Sequence, residues 1–302
     1  MTSKIYLSII FSDYQEVNLK RFIDHLNIKD KIIVINGRFD NSIFKKDSCR
    51  FKKNVIIKNF INKYNCLIYL LLLLIKYQFH KKKFIFGNPE GTLCKFLRFF
   101  INGKNQIYLD DGFLSVDYDF DKLKKGCTIF TIYNIKTPNK INKIQYFPKY
   151  KINRKKTCDK VLLIGNALVF NNILSKFKFI EIMKTLSKKN KTIYYYPHPR
   201  ENEELSLLPK NFKILKRKNN IEKFIDTYRY NFRLIYAFGF SSSIMEISYL
   251  CKKGNIKALD INDWIDNRPK NLHRKKSYKL HYRYLREHKI NIKKLNKIKN
   301  LN

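Results

Sequence analysis

Short apolar runs alternate with amphipathic stretches along the first half of the chain. Residues 5–11 and 31–36 are strand-like, the latter apolar on both faces, and residues 16–26 between them repeat apolar positions at helical spacing. Further strands are predicted at residues 54–61, 83–86 and 106–109, and further helices at residues 66–75 and 93–101. Strands that alternate with helices in this way predict a parallel sheet covered on both faces. We therefore predict a Rossmann-like domain over residues 1–135.

A second block of the same kind follows a stretch rich in lysine, asparagine and proline. Residues 136–158 hold few apolar side chains and include Pro138 and Pro148, which predicts a linker. Strands are predicted at residues 160–166, 193–196, 212–215 and 234–238, and helices at residues 170–189 and 221–228. The chain is therefore predicted to be an α/β protein with two Rossmann-like domains facing a cleft. The second domain covers residues 159–265, and residues 266–302 form a basic C-terminal segment.

The charge of the chain indicates an anionic partner. The 302 residues include 63 lysines and arginines against 24 acidic residues, a net charge of +39. Such charge favours nucleic acid or an acidic membrane surface, although AT-rich coding also enriches lysine, asparagine and isoleucine. The basic residues are spread along the chain, and the sequence has no zinc-finger, RNP or helix-turn-helix motif. We expect no nucleic-acid partner, but a basic nucleic-acid-binding protein is retained as the alternative from a different class.

The spacing of the cysteines and the length of the apolar runs indicate the cellular compartment and whether the chain spans a membrane. The six cysteines are scattered without a CxxC pair, which favours neither a zinc site nor disulfides and fits a reducing cytosol. Residues 1–4 run directly into the strand predicted from residue 5, so no secretory signal is expected. The longest apolar run, residues 66–75, is about half the ~20 residues of a membrane-spanning helix, and we predict a buried helix there. Any membrane contact is therefore expected to be peripheral.

Candidate chemistry lies where predicted strands end. The strand at residues 193–196 is followed by Pro197, which cannot donate to a sheet, and then by His198 and Pro199. Ligands of α/β sheets bind at the carboxyl ends of strands, so His198 is a candidate ligand-binding or catalytic residue. The alternative is that a histidine between two prolines only rigidifies a loop.

Two adjacent carboxylates follow the strand predicted at residues 106–109. Adjacent residues leave a strand on opposite faces, so one of Asp110 and Asp111 can enter a crevice while the other braces the turn that Gly112 permits. A general base is the favoured role. A structural Asp-Gly turn and a magnesium site are alternatives, and the magnesium site ranks lower because no third ligand has suitable spacing.

Three serines follow the strand predicted at residues 234–238. Ser241, Ser242 and Ser243 precede apolar residues at helical spacing, which predicts that a helix begins at the serines. Serine is a favoured helix N-cap, and the free N–H groups at the start of a helix bind phosphate. The plainer alternative is one serine that caps a structural helix.

The three motifs together resemble a known family. Asp110-Asp111-Gly112, His198-Pro199 and the serine run are similar, in order and spacing, to the D/E-D/E-G, HP and serine motifs of bacterial sialyltransferases. The length and single-chain layout are most similar to the lipooligosaccharide sialyltransferases of glycosyltransferase family 52, and bacterial polysialyltransferases share the motifs. The likeness covers residues 5–250 as architecture. It implies the GT-B fold, with residues 1–135 on the acceptor side and residues 159–265 binding the nucleotide sugar.

The resemblance implies transfer of sialic acid from CMP-sialic acid to a terminal sugar, commonly galactose, of a lipooligosaccharide or capsular glycan. The resemblance further implies that the reaction would invert the anomeric centre and would need no cofactor and no essential metal. Asp110, or failing that Asp111, would be the general base. His198 would donate a proton or a strong hydrogen bond to the leaving phosphate held by the serine helix end. Residues placed at the donor by motif or position are Gly112, Pro199, Asn88, Gly165 and Asn166. A related GT-B transferase using another nucleotide sugar is the alternative.

The C-terminal segment of residues 266–302 is dense in lysine and arginine and interleaves tyrosines. A solvated helix face is one interpretation, and a surface for anionic membrane lipid is the other. The second interpretation predicts a peripheral enzyme at the cytoplasmic face of the bacterial inner membrane, where a lipid-anchored glycan acceptor is presented. The acceptor, the linkage and the oligomeric state, a homodimer included, are left open.

Overall fold

The chain folds as two α/β units, Met1–Phe147 and Pro148–Asn302. The computed structural model describes residues 4–37, 54–60, 62–88, 91–110, 119–146, 160–201, 203–216, 221, 224, 232–239, 241, 243–250, 255–266 and 269–295. Among these, no helix is both long and apolar enough to cross a bilayer.

The first unit is built on a parallel sheet. Its strands are β1 (Lys4–Ile10), β2 (Lys31–Asn36), β3 (Val55–Asn59), β4 (Lys81–Phe86), β5 (Gln106–Leu109), β6 (Thr128–Thr131) and β7 (Asn142–Gln145). Their order is β3-β2-β1-β4-β5-β6-β7, and every pairing among them is parallel. The central strands are buried on both faces, as the apolar runs predict.

Three described helices connect strands of the first sheet, namely α1 (Asp13–His25), α2 (Lys63–Lys76) and α3 (Thr92–Phe100). Ser12 is the N-cap of α1, because its hydroxyl accepts from the Gln15 N–H, and the Gln15 side chain accepts in turn from the N–H of Phe11, the residue before the cap. Its inner face packs Leu19 and Phe22 into the core of the unit.

The prediction of a buried helix over residues 66–75 is wrong for the outer half of α2. This helix buries Cys66, Leu70 and Leu73, whereas Ile68 and Leu72 are exposed. An apolar run ten residues long covers every face of a helix, but a helix lying on a sheet buries only the stripe that faces the strands.

The second unit is built on another parallel sheet. Its strands are β8 (Val161–Ile164), β9 (Ile193–Tyr196), β10 (Phe212–Ile214), β11 (Leu234–Phe238), β12 (Ile256–Asp260) and β13 (Asn291–Lys294). Their order is β10-β9-β8-β11-β12-β13, again with parallel pairings. The described helices of the unit are α4 (Lys176–Ser187), α5 (Ser243–Leu250) and α6 (Pro269–Glu287). Most of the helix predicted at residues 221–228 lies outside the described residues.

Two predicted segment boundaries need correction. The strand β7 lies within the linker predicted at residues 136–158 and pairs with β6, so the first unit extends past residue 135. The segment of residues 266–302 supplies α6 and β13 to the second unit, and β13 pairs with β12. Both strands are short and partly exposed, so neither carries the apolar run that predicts a strand. Residues 147–159 lie outside the described residues.

Candidate active site

The strand order of the second sheet reverses between β8 and β11. From β8 the chain proceeds outward to β9 and β10, whereas from β11 it proceeds the other way to β12 and β13. Ligands of doubly wound sheets bind outside the carboxyl ends of the strands at such a reversal. The residues that follow β8, β9 and β11 are Gly165, Pro197 and Gly239. With neighbouring strands about 4.8 Å apart, these three strand ends lie on one short edge.

The His198 motif forms a turn that is closed by a buried carboxylate. The His198 N–H donates to Glu201 Oε2 at 2.7 Å, and the Glu201 N–H donates back to the His198 carbonyl at 3.0 Å. The Tyr195 hydroxyl donates to Glu201 Oε1 at 2.9 Å. Because Glu201 is only 4% exposed, these bonds are shielded from water and fix the backbone of the turn.

The histidine ring is oriented by its own turn. The Arg200 N–H donates to His198 Nδ1 at 3.2 Å, so Nδ1 presents a lone pair and the neutral ring carries its proton on Nε2. The ring is half-buried, and Pro199 beside it is exposed. His198 is therefore arranged to donate a hydrogen bond through Nε2–H, one of the two roles expected of it from the sequence.

Gly165 fits directly beneath this turn. A Cβ at Gly165 would lie 2.3 Å from Glu201 Oε2, 2.7 Å from the Tyr195 hydroxyl and 2.9 Å from the His198 nitrogen. Any side chain there would displace the carboxylate that holds the turn, so close approach is the reason for glycine. Asn166, the next residue, is half-buried and begins a turn in which its carbonyl accepts from the Leu168 N–H. The structure thus brings Gly165, Asn166 and His198 together.

The serine motif begins three residues after the end of β11, the strand that pairs with β8. Ser241 is buried, its N–H donates to the Phe238 carbonyl at 2.8 Å, and its own carbonyl accepts from the Ile244 N–H at 3.1 Å. The helix α5 starts at Ser243, which is half-buried. Ser242 lies outside the described residues. The start of α5 is therefore on the same edge of the sheet as Gly165.

One residue that sequence reasoning missed supports this edge from α6. A Cβ at Gly239 would meet the Tyr282 ring at 1.8 Å, so the ring lies against the backbone at the end of β11. The Tyr282 hydroxyl donates to the Leu259 carbonyl at 3.0 Å and accepts from the Ile261 N–H at 3.3 Å. Burial raises the pKa of Tyr282 well above its usual value, so this hydroxyl keeps its proton. The tyrosines of the basic segment are thus partly core residues.

In the first unit Asp110 follows β5 and is buried at 2% exposure. Its Oδ2 accepts from the Ile132 N–H at 2.7 Å, which ties the end of β5 to the end of β6. Its carbonyl accepts from Asn18 Nδ2 of α1 at 3.2 Å. These contacts are those of a carboxylate that braces a strand end. Asp111 and Gly112 lie outside the described residues.

Asn88 lies at the reversal point of the first sheet, where β1 and β4 are neighbours. It is half-buried, and its carbonyl accepts from the Gly91 N–H at 3.3 Å. The preceding Gly87 donates its N–H to the Ile9 carbonyl, and a Cβ at Gly87 would lie 2.3 Å from the side-chain oxygen of Gln15. Asn88 therefore belongs to the strand edge of the first unit.

Neither strand edge carries a cluster of metal ligands in the part of the chain that the structure describes. Within those ranges, no group of three or more histidine, cysteine, aspartate or glutamate residues is arranged to hold a metal ion.

Comparison with known proteins gives a fold. No protein-family model matches the sequence, and no curated protein matches it. A UDP-glucosyltransferase from Polygonum tinctorium, solved with 3,4-dichloroaniline, is 9% identical with a TM-score of 0.53 over 95% of this chain and 94% of that chain. The spinosyn rhamnosyltransferase SpnG with thymidine diphosphate is 9% identical with a TM-score of 0.51 over 95% of this chain and 90% of that chain. MnaA of S. aureus with UDP is 9% identical with a TM-score of 0.52 over 95% of this chain and 90% of that chain.

These likenesses extend over both units of the chain, and at 9% identity they establish the fold alone. The fold is GT-B, with two Rossmann-like units, which confirms the fold class predicted from the alternating apolar runs.

Proposed function

We propose that the protein is a glycosyltransferase that moves a sugar from a nucleotide donor to a glycan hydroxyl, with CMP-sialic acid as the donor. The observation that carries this proposal is the cluster of Gly165, His198 and Ser241 on the reversal edge of the second sheet of a GT-B fold. That edge is where doubly wound sheets bind nucleotides. MnaA and SpnG, which share the fold, were solved with UDP and thymidine diphosphate.

The second unit would bind the donor's phosphate by hydrogen bonds. His198 would donate through Nε2–H, since its Nδ1 accepts from the Arg200 N–H. Protonation at Nδ1 would break that bond, so hydrogen-bond donation from the neutral ring fits the turn better than proton transfer from a cationic ring. The backbone N–H groups at the start of α5 would be further donors. The fully buried Glu246 in the first turn of α5 offsets the positive end of that helix, so the N–H groups matter more there than the dipole.

The first unit would supply the general base that removes the proton of the acceptor hydroxyl. Asp110 already accepts the Ile132 N–H in a buried position, which suits a bracing role. We therefore assign the base to Asp111 and the support to Asp110, the reverse of the order preferred from the sequence. A base near a sugar hydroxyl contributes about 10²–10⁴-fold to such a reaction.

Sialic acid as the transferred sugar is supported by the resemblance of the three motifs, taken together, to bacterial sialyltransferases. The alternative donor is a UDP- or dTDP-sugar, which is favoured by the nucleotides bound in the two comparison structures. With CMP-sialic acid as the donor, the reaction would invert the anomeric centre. We expect no essential metal, and the acceptor would be a terminal galactose of a lipooligosaccharide or capsular glycan. A peripheral position at the cytoplasmic face of the inner membrane would suit a lipid-anchored acceptor.

A donor panel tests the proposal. The purified chain is incubated in EDTA with lactose and, separately, with CMP-sialic acid, UDP-glucose, UDP-galactose and dTDP-rhamnose, and the release of free nucleotide is measured. We expect release and a sialylated lactose with CMP-sialic acid alone. Release of nucleotide from a UDP- or dTDP-sugar alone would show that CMP-sialic acid is not the donor, and the protein would still be a glycosyltransferase. A chain that turns over no donor, with or without added magnesium, and retains DNA or RNA on a filter would contradict the proposal and favour a nucleic-acid-binding protein.

A further inference from the structure

The outward face of α2 is apolar. Ile68, Leu72 and Ile75 of α2 and Phe79, which lies three residues past its end, follow one another at spacings of four, three and four residues. All are exposed, Phe79 to 84%. The charged residues of α2 are Lys63 and Lys76 at its ends, so the helix carries no acidic residue. A helix on a solvated surface normally carries polar residues outward, so this face is suited to an apolar environment.

The helix α3 adds to the same surface. Its last residues, Phe99 and Phe100, are 76% and 69% exposed, and their rings contact each other edge to face. A cavity of about 620 Å³ in the first unit is lined by both Leu74 of α2 and Phe100 of α3. The two helices therefore border the same cavity near their carboxyl ends. We call their exposed apolar side chains together the apolar face, namely Ile68, Leu72, Ile75, Phe79, Phe99 and Phe100.

Lysines border the apolar face where the cavity opens. The cavity lining includes Lys4, Lys81, Lys82 and Lys83, the first residues of β1 and β4, and among its described lining residues none is acidic. Lys82 and Lys83 donate to backbone carbonyls of Gln78 and Lys104. Burial, together with the charge of Lys4, lowers the pKa of Lys83. The four lysines that line this one cavity carry like charges, and an anion would relieve their repulsion.

An anionic membrane is the partner that fits both features. Apolar side chains enter the region below lipid headgroups, while lysine amines reach the phosphates above it. A symmetric pair of copies would bring the same lysines of both chains together, which is unfavourable. The observed combination of exposed phenylalanines and crowded lysines therefore favours lipid over a second copy of the chain.

We propose that the apolar face docks the first unit on an anionic lipid membrane, with Phe79, Phe99 and Phe100 inserted and Lys81 and Lys82 at the lipid phosphates. The basic C-terminal segment is then not the principal membrane surface. Docking on the membrane does not require that the protein transfers a sugar. Only the purpose of docking, which is access to a lipid-anchored acceptor, rests on the proposed function.

The role of the phenylalanines is tested by vesicle flotation in the absence of any nucleotide sugar. Vesicles of phosphatidylcholine with about 30% phosphatidylglycerol are compared with phosphatidylcholine alone. The double variant Phe79→Ser and Phe99→Ser removes two inserted rings, and Phe170→Ser with Phe177→Ser is the matched control, since both residues are exposed phenylalanines of the second unit. We expect wild type and control to float with the anionic vesicles, and the Phe79 and Phe99 variant to bind at least about tenfold more weakly.

The role of the lysines at the cavity is tested by reversing their charge. Lys81→Glu with Lys82→Glu is expected to abolish binding to the anionic vesicles. Charge-matched controls are Lys188→Glu with Lys189→Glu after α4 and Lys279→Glu with Arg283→Glu on α6, all exposed positions. Both controls are expected to retain more than half of the binding, since each basic residue off the contact surface contributes little at moderate salt.

Three results would overturn the docking proposal. These are equal binding by the Phe79 and Phe99 variant and wild type, loss of binding only in the α6 variant, and a concentration-dependent dimer in light scattering that the Phe79 and Phe99 variant alone abolishes. Transfer to soluble lactose is expected to be unchanged in the Phe79 and Phe99 variant. Vesicle binding without any transfer activity would count against the proposed function and leave the docking proposal standing.

Discussion

The buried carboxylate of Glu201 is expected to hold the His198 turn, and its removal is the sharpest test of that assignment. Glu201 accepts hydrogen bonds from the His198 N–H and the Tyr195 hydroxyl while it is 4% exposed. A hydrogen bond to a charged group contributes about 1.5–3 kcal/mol, and loss of the buried charge recovers part of its desolvation. We therefore expect Glu201→Ala to lower the unfolding free energy of the second unit by about 2–4 kcal/mol.

The intrinsic fluorescence of the chain reports on this unit. Trp264 is the single tryptophan of the sequence, it is 1% exposed, and its indole N–H donates to the Leu295 carbonyl at 2.6 Å. Urea unfolding monitored by Trp264 emission therefore follows the second unit. Glu287→Ala, an exposed carboxylate at the end of α6, is the matched control and is expected to change stability by less than about 0.5 kcal/mol.

A double-mutant cycle separates the bond from other effects of the substitution. Tyr195→Phe alone is expected to cost about 1–2 kcal/mol, and Tyr195→Phe with Glu201→Ala to cost less than the sum of the two single variants. The reasoning would be refuted if Glu201→Ala unfolded at the same urea concentration as Glu287→Ala, or if the two substitutions were strictly additive.

Further predictions follow from the same contacts. Gly165→Ala is expected to displace the Glu201 carboxylate and to reduce donor turnover at least about tenfold, measured by nucleotide release with His25→Ala as an exposed control. Asp110→Ala is expected to leave the Ile132 N–H without its carboxylate acceptor and to lower the unfolding free energy by about 1–3 kcal/mol. Hydrogen exchange of the Ile132 amide is then expected to be faster than in wild type, and unchanged exchange would contradict the bracing role of Asp110. Burial raises the pKa of Tyr278 to about 12, above the ordinary value near 10 of an unfolded chain. The stability that this tyrosine contributes is thus complete below about pH 10 and is lost as pH rises toward 12, and Tyr278→Phe is expected to flatten that loss in urea titrations.

The sheets could be predicted from sequence because their central strands are apolar on both faces. Val161–Ile164 is fully buried, and a short apolar run between helical stretches is typical of such a strand. The edge strands carry no such run. Asn142–Gln145 and Asn291–Lys294 are polar and partly exposed, so composition assigns the first to a linker and the second to a tail.

Residues of the candidate site could be predicted from the sequence only where their position after a predicted strand is sufficient to identify them. Gly165, His198 and Ser241 each follow a strand, and chain order alone identifies which residue stands at a strand end. The role of Glu201 could also have been predicted from the sequence, because a glutamate three residues after His198 is near enough to accept from the histidine's backbone N–H.

Contacts between distant parts of the chain could not be predicted. The bond from Ile132 to Asp110 requires β5 and β6 to be neighbours, and the sequence does not state the strand order. The contact of Tyr282 with Gly239 joins residues of α6 and the end of β11 that lie far apart in the sequence. Hydrophobic periodicity predicts each element but not which elements pack together.

The central claim is that His198 donates to the leaving phosphate of the donor. Its most direct test is the rate of CMP release from CMP-sialic acid with lactose in EDTA, for wild type, His198→Ala and His25→Ala, with Trp264 unfolding as the check on folding. We expect His198→Ala to lose about 100-fold or more in kcat with an unchanged unfolding midpoint, and His25→Ala to match wild type. Wild-type turnover by a folded His198→Ala variant would contradict the claim.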